Sequence, residues 1–143
     1  MKIYIRQISE EDAPAIVDLS HQLGYELLPQ QALNNCKAIL ENKDHDAFVA
    51  VHENTVIGWI GVTHAIMLES QPFCEIHGLV VDEKFRNAGV GKMLINKAKQ
   101  WGKEKGNRTL KLRCNIKRTE THLFYQHLGF KEVKQQKVFE IMI

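Results

Sequence analysis

The chain has 143 residues, 44% of them apolar and 25% charged, a length that fits one domain over residues 1–143 and suggests no smaller unit. No apolar run approaches the roughly 18 residues needed to cross a membrane, and Met1-Lys2-Ile3-Tyr4-Ile5-Arg6 lacks the apolar core of a secretion signal, so a cytoplasmic protein without a membrane partner is expected. The net charge of +2 hides a division: residues 1–83 carry 4 Lys or Arg against 13 Asp or Glu, residues 84–118 carry 12 against 1, and the remainder balance.

Residues 2–8 alternate as a first strand, and a helix is predicted over residues 12–23. Ser9 with Asp12 matches a capping box, but Pro14 would sit too deep in a helix capped at Ser9, so Asp12 reads as the cap. A second helix over residues 29–40 is entered by Pro29 and carries Ala32, Leu33, Cys36, Ile39 and Leu40. The joint at residues 24–28 is placed to wall a substrate, or simply to let two helices pack. Residues 47–52 and 56–66 read as strands joined at Glu53-Asn54-Thr55, and residues 75–81 as a third. Downstream, Val90, Leu94, Ala98 and Trp101 mark one buried face of a long helix. Residues 109–114 form another strand, residues 118–128 a helix stopped by Gly129, and residues 130–133 and 138–143 terminal strands.

Between the strand at 75–81 and the long helix stands Arg86-Asn87-Ala88-Gly89-Val90-Gly91. The first N–H groups of a helix have no intrahelical acceptor, and glycines let them converge on one cluster of oxygens. The helix dipole adds attraction for an anion. This is no dinucleotide fingerprint, because the loop falls past the midpoint and a basic segment follows it. It is no triphosphate-binding loop either, since no Gly-Lys-Ser or Gly-Lys-Thr closes it. The basic block begins near this loop and could surround a polyanionic ligand or form a solvated helix face. It lacks the interleaved aromatics, zinc-finger spacing and arginine-rich arm of a nucleic-acid reader, so no nucleic-acid partner is expected.

Cys36, Cys74 and Cys114 have neither metal nor redox spacing and read as buried, reduced thiols. The seven histidines, His21, His45, His52, His64, His77, His122 and His127, form no ligand spacing, so no metal is expected.

With these residues in hand, the chain resembles the Gcn5-related N-acetyltransferase superfamily. Leu79-Val80-Val81 followed by Arg86 through Gly91 matches its acetyl-CoA motif, and Asn115, Arg118, His122, Phe124-Tyr125 and Leu128-Gly129-Phe130 match its second signature. Thr121 replaces the usual small alanine before the histidine. The resemblance implies an α/β (α+β) acyl-CoA N-acyltransferase fold: a central mixed, mostly antiparallel sheet split at two parallel strands and flanked by about four helices. It also implies acetyl-CoA as donor and a primary amine, of a small molecule, as acceptor.

By the same resemblance, backbone groups at Leu79 and Val81 hold the pantetheine arm as a pseudo-strand, with Val80 between them counted among the cofactor-binding residues. The amides of Arg86, Asn87, Ala88, Gly89, Val90 and Gly91 hold the pyrophosphate, and Asn115 contacts the cofactor. Arg86 could instead form a surface ion pair, and Asn115 could simply cap a strand end. Tyr125 is implied as the acid for the departing thiolate, with ring packing on Phe124 or Phe130 as the structural alternative. An alkylamine is mostly protonated near neutral pH, so a base must free it before attack. Glu75 acting through water, His77, or both are the candidates, and they share a face if the strand is regular. A homodimer built on residues 130–143 is among the arrangements considered. A non-catalytic acetyl-CoA-binding regulator and a basic nucleic-acid adaptor are the competing readings.

Overall fold

The structure, a computed structural model, describes residues 2–143. Contacts divide the chain into two compact units, one ending at Arg113 and one covering Cys114–Ile143.

The first unit is a five-stranded sheet in the order β1 (Tyr4–Gln7), β2 (His45–His52), β3 (Thr55–Ala65), β4 (Phe73–Val81) and β5 (Leu110–Leu112). The first three pairings are antiparallel, and β4 with β5, at the edge, is parallel. Glu53 and Asn54, both at positive φ, turn β2 directly into β3. Three helices cover the sheet: α1 (Ala13–His21), α2 (Pro29–Glu41) and α3 (Val90–Glu104).

Alternation along each strand decides which helix meets which face. Gly58 faces Val90 and Leu94 of α3, and Gly102 of α3 lies against Cys74. On the other face Ala47, paired with Gly61, joins Ile8, Ala13 of α1, and Ala32 and Cys36 of α2 in one apolar cluster. The predicted apolar stripe of α3 is fully realised: Val90, Leu94, Ala98 and Trp101 are all buried, with Ile95 beside them.

The start of α1 is built differently from the expected single cap. Residues Glu10–Asp12 form a 3-10 turn, and the Ser9 N–H donates to Asp12 Oδ2 at 2.8 Å, so the capping box closes on this turn instead of on α1. Asp12 does precede α1, but its carboxylate points back and takes both Arg6 guanidinium nitrogens at 2.8 Å.

The second unit contains one helix, α4 (Thr119–His127), closed by the Phe130 N–H donating to the Tyr125 carbonyl. The terminal strands expected at residues 130–133 and 138–143 do not form. A strand's N–H and C=O groups need a partner strand, and among the described residues none pairs with these. Val133, Val138, Phe139, Ile141, Met142 and Ile143 are consequently 81–119% exposed.

Candidate active site

The sheet opens in the middle of β4. Strand β5 pairs with Cys74, Glu75 and Ile76 and then stops, so beyond Ile76 the outer edge of β4 has no partner strand among the described residues. At that point β4 also bulges: Gly61 pairs with Gly78 and Val62 with Ile76, which leaves His77 without a partner on β3.

The bulge changes which peptide groups face the opening. Before it, the Cys74 N–H points outward, donating to Thr109 O at 3.0 Å. In an unbroken strand every even-numbered residue would do the same. After it, the parity is reversed: the Asp82 N–H donates inward to Ile57 O at 2.8 Å, and Val80 O lies on the side of Gly58. The backbone groups of Leu79 and Val81 therefore face the open edge, while those of Val80 face β3. Leu79 and Val81, the two positions expected to hold the cofactor arm, have backbone groups turned to the open edge, whereas those of Val80 are not.

The free edge leads through a short 3-10 turn, Glu83–Phe85, into the glycine loop. Asn87 and Gly89 both have positive φ, 66° and 79°, which folds the loop back on itself. A Cβ on Gly89 would meet nothing within 4 Å, so its backbone angle, not crowding by the protein, calls for glycine. Gly89 is the N-cap of α3 and supplies no side-chain cap; the first intrahelical bond runs from Met93 N to Gly89 O. The N–H groups of Val90, Gly91 and Lys92 are thus free to bind an anion. No acidic side chain stands in this first turn. Arg86 is exposed and joins no ion pair among the described residues.

On the α1/α2 face, polar side chains form a row across three strands. His45 of β2, Thr63 of β3 and Glu75 of β4 are successive register partners, and Thr63 Oγ1 lies 3.3 Å from His45 Nδ1. His77 joins them from the bulge, its ring centroid 6.1 Å from that of His45. Glu75 and His77 thus share a face as expected, although the strand between them is irregular. Two glycines make room for rings here. The His77 ring occupies the place of a Gly61 side chain, and the Trp59 ring occupies that of Gly78. Burial lowers the His77 pKa, and His45 lowers it further, against the opposing pull of the Val62 carbonyl and Glu75. The ring is therefore neutral near pH 7 and able to accept a proton. Arg113 Nη2 sits 3.6 Å from Glu75 Oε2.

A groove of about 660 Å³ runs along α1 and the joint after it, lined by Val17, Asp18, His21, Tyr25, Glu26, Leu27 and Leu28. Asp18 and Glu26 enter no ion pair among the described residues. His45, Thr63, Gly61 and Asp18 are absent from the motif-based site, because no local motif marks them. Only strand register and helix position bring them in.

In the second unit, Asn115 forms a turn of its own. Its Oδ1 accepts from the Lys117 N–H at 2.9 Å, and its carbonyl accepts from Arg118 N and His122 Nε2. This turn begins three residues after β5 ends at Leu112, so it is a local turn and not a strand-end cap, and it occupies only the carbonyl oxygen of the side chain. The Tyr125 ring packs edge-on against Phe124 and Phe130, with centroids 5.3 and 5.7 Å away. Burial, with the Cys114 thiol adding to it, pushes the Tyr125 hydroxyl up to about 12, so it carries its proton throughout the neutral range. Burial also raises the thiols of Cys114 and, up to about 11, Cys74, which leaves neither poised as a nucleophile.

Known proteins match this chain in both sequence and fold. The acetyltransferase (GNAT) family model matches residues 5–130. Over 97 residues, 64% of this chain and 67% of the relative, the sequence is 31% identical to an aminoglycoside N(6')-acetyltransferase type 1 from Salmonella typhimurium. It is 32% identical over 96 residues to an uncharacterized N-acetyltransferase from Methanocaldococcus jannaschii, a match spanning 65% of this chain and 42% of that protein. A match to a Chlorobaculum tepidum relative spans 53% of that protein, so the chain covers about half the length of these two. The fold superimposes on the aminoglycoside N-acetyltransferase AAC(6')-Iy in complex with CoA with a TM-score of 0.89 and 25% identity, covering 99% of this chain and 96% of the other. A sheet that opens beyond Ile76, a glycine loop at the start of α3 and a sequence match across residues 5–130 lead to one assignment: the chain belongs to the GNAT acetyltransferase family.

Proposed function

We propose that residues 1–143 act as one acetyl-CoA-dependent N-acetyltransferase domain that acetylates a primary amine on a small, cationic molecule. One observation carries the donor half: the stretch of β4 beyond Ile76, which has no partner strand on its outer edge among the described residues, turns Leu79 and Val81 toward that edge and leads through a short turn and the glycine loop to a helix start with unsatisfied N–H groups. An extended amide-bearing arm ending in a pyrophosphate needs those two surfaces in that order. In this reading Leu79 and Val81 bind the arm as a strand, the amides at residues 86–91 hold the pyrophosphate, and Arg86 adds a cation. Asn115, through its free amide NH₂, contacts the same ligand. Acetyl-CoA, when bound, supplies the thioester carbonyl that the amine attacks.

This chain's residues then handle the protons and the charge. Glu75 through a water molecule, or the neutral His77, takes the proton from the ammonium form of the acceptor. A backbone N–H in the 79–81 stretch stabilises negative charge on the carbonyl oxygen. Tyr125, protonated far above neutral pH, gives its proton to the leaving thiolate. Cationic acceptors are favoured by the unpaired Asp18 and Glu26 in the α1 groove, and two relatives are named for aminoglycosides. Three free cysteines, two of them buried, agree with a reducing cytoplasm.

The test is a panel of amines incubated with acetyl-CoA while free thiol is followed and products are weighed by mass spectrometry. Acetylation of multiply cationic small amines is expected. Acetyl-CoA binding without any acetylated amine would move the protein to the regulator reading, and failure to bind acetyl-CoA at all would remove the donor assignment.

A further inference from the structure

Gly61 of β3 and Gly78 of β4 are register partners at the bulge, on the face that carries α1 and α2. Their missing side chains leave two seats about 5 Å apart, the spacing of Cβ positions in a register pair. Two rings fill these seats crosswise: His77 of β4 lies over Gly61, and Trp59 of β3 reaches over Gly78 with the outer edge of its six-membered ring. The next residue, Leu79, turns its backbone to the free edge. Trp59 is not core filling. It is only half-buried, and among the described residues it takes no part in the apolar cluster formed with α1 and α2. Its Nε1 is buried without a hydrogen-bond partner, a cost that a phenyl ring in the same place would avoid. What an indole offers beyond a phenyl ring is the stronger attraction of its face for a cation. The chain's own cations stand over other rings, Lys97 over Phe48, Lys105 over Trp101 and Lys111 over Phe73, and among the described residues none stands over Trp59.

We propose that Trp59 is a specificity-determining residue for the acceptor: its indole face holds a second ammonium group of the amine while the reacting nitrogen stands at His77. This rests on the acetyl-transfer reading, in which Glu75 or His77 takes the proton of the reacting nitrogen. Seats about 5 Å apart fit two nitrogens joined by three carbons, a span of about 5 Å in extended form at ordinary bond lengths. The acceptor class is thus an amine with a second ammonium group at that distance, on a chain or on a ring.

The test compares propane-1,3-diamine with propylamine, which differ only in the second ammonium group. Relative to the unchanged protein, Trp59→Leu should lower the diamine-to-monoamine ratio of kcat/KM about tenfold, and Trp59→Phe, which keeps a weaker ring, about threefold. A ratio between two substrates of one variant is not moved by partial loss of folded protein, and circular dichroism confirms that each variant is folded. Binding is read without catalysis by fluorescence. The chain has two tryptophans, and Trp101 on α3 is 7% exposed, so in a Trp101→Phe background the emission is that of Trp59 alone. The diamine should perturb that emission at a concentration about tenfold lower than propylamine does. An emission shift with the diamine but no acetylation of either amine would keep this contact and remove the transfer reading. Acetylation of both amines with a ratio unchanged in Trp59→Leu would overturn the contact and leave the transfer reading intact. An emission that answers equally to the two amines, or to neither, would overturn it as well.

Discussion

The two helices that carry the family signatures are built in opposite ways. Helix α3 buries Val90, Leu94, Ile95, Ala98, Trp101 and Gly102, whereas α4 buries no residue completely and leaves its Tyr125 half-buried. The helix start assigned to the pyrophosphate is thus held by a close-packed core, where positions are fixed by volume. The tyrosine assigned to proton delivery stands on a short helix stabilised by ring contacts and its own caps. On the proposed roles, the difference separates binding from chemistry: substitutions beneath α3 should act on stability and donor affinity, and those on α4 on turnover.

The largest expected effect is in the core under the loop. Leu94 has no exposed surface, so Leu94→Ala should cost about 3 kcal/mol in chemical denaturation, the loss of a buried side chain plus the cavity it leaves. A cost near zero would break the comparison at its stronger end.

Next is the pair that anchors β1 to the start of α1. Asp12 is 5% exposed; burial alone would raise its pKa, but hydrogen bonds from Arg6 and Ser9 overcome this and lower it. A depressed carboxylate adds stability above its unfolded value, and that stability disappears as pH falls through the folded value. Asp12→Asn should cost about 2 kcal/mol at pH 7, and the deficit should shrink in denaturation curves recorded from pH 4 downward. A deficit that stays constant to pH 2 would show that the carboxylate's charge is not its source.

Gly89→Ala sharpens the distinction between shape and binding. With φ at 79° and no atom near the added Cβ, the cost to the free protein should be only about 1 kcal/mol of backbone strain. On the proposed pyrophosphate role of this loop, acetyl-CoA should bind about tenfold more weakly by calorimetry, because the added methyl group would crowd the amides proposed to hold it. The smallest effect belongs to α4: Leu123, 66% exposed, should change stability by less than about 0.5 kcal/mol on replacement by alanine.

How much of this was legible in the residues follows the same division. The α3 stripe and the loop before it could be read because helical periodicity and glycine spacing are local signals, and the stripe is buried at every predicted position. The β4 bulge was not legible, since Glu75 to Val81 reads as one apolar run whichever residue is displaced. Without it Leu79 and Val81 have no physical reason to face outward in preference to Val80. The His45 partnership was hidden in a similar way. Counting back from the turn at Glu53-Asn54 puts Val62 opposite His45, and only the irregularity at Ala50/Val51 brings Thr63 there. Residues 130–143 have the composition of strands, but strand formation depends on a partner that composition does not name.

The central claim, that the packed unit holds the donor while Tyr125 on the lightly packed helix moves the proton, is tested most directly by Tyr125→Phe. The variant keeps the ring and its contacts with Phe124 and Phe130 and removes only the hydroxyl. The account predicts a kcat lower by about 100-fold or more, the loss of one general acid, with the acetyl-CoA dissociation constant unchanged within about twofold. An unaltered kcat, or a dissociation constant that rises by the same factor as kcat falls, would contradict it.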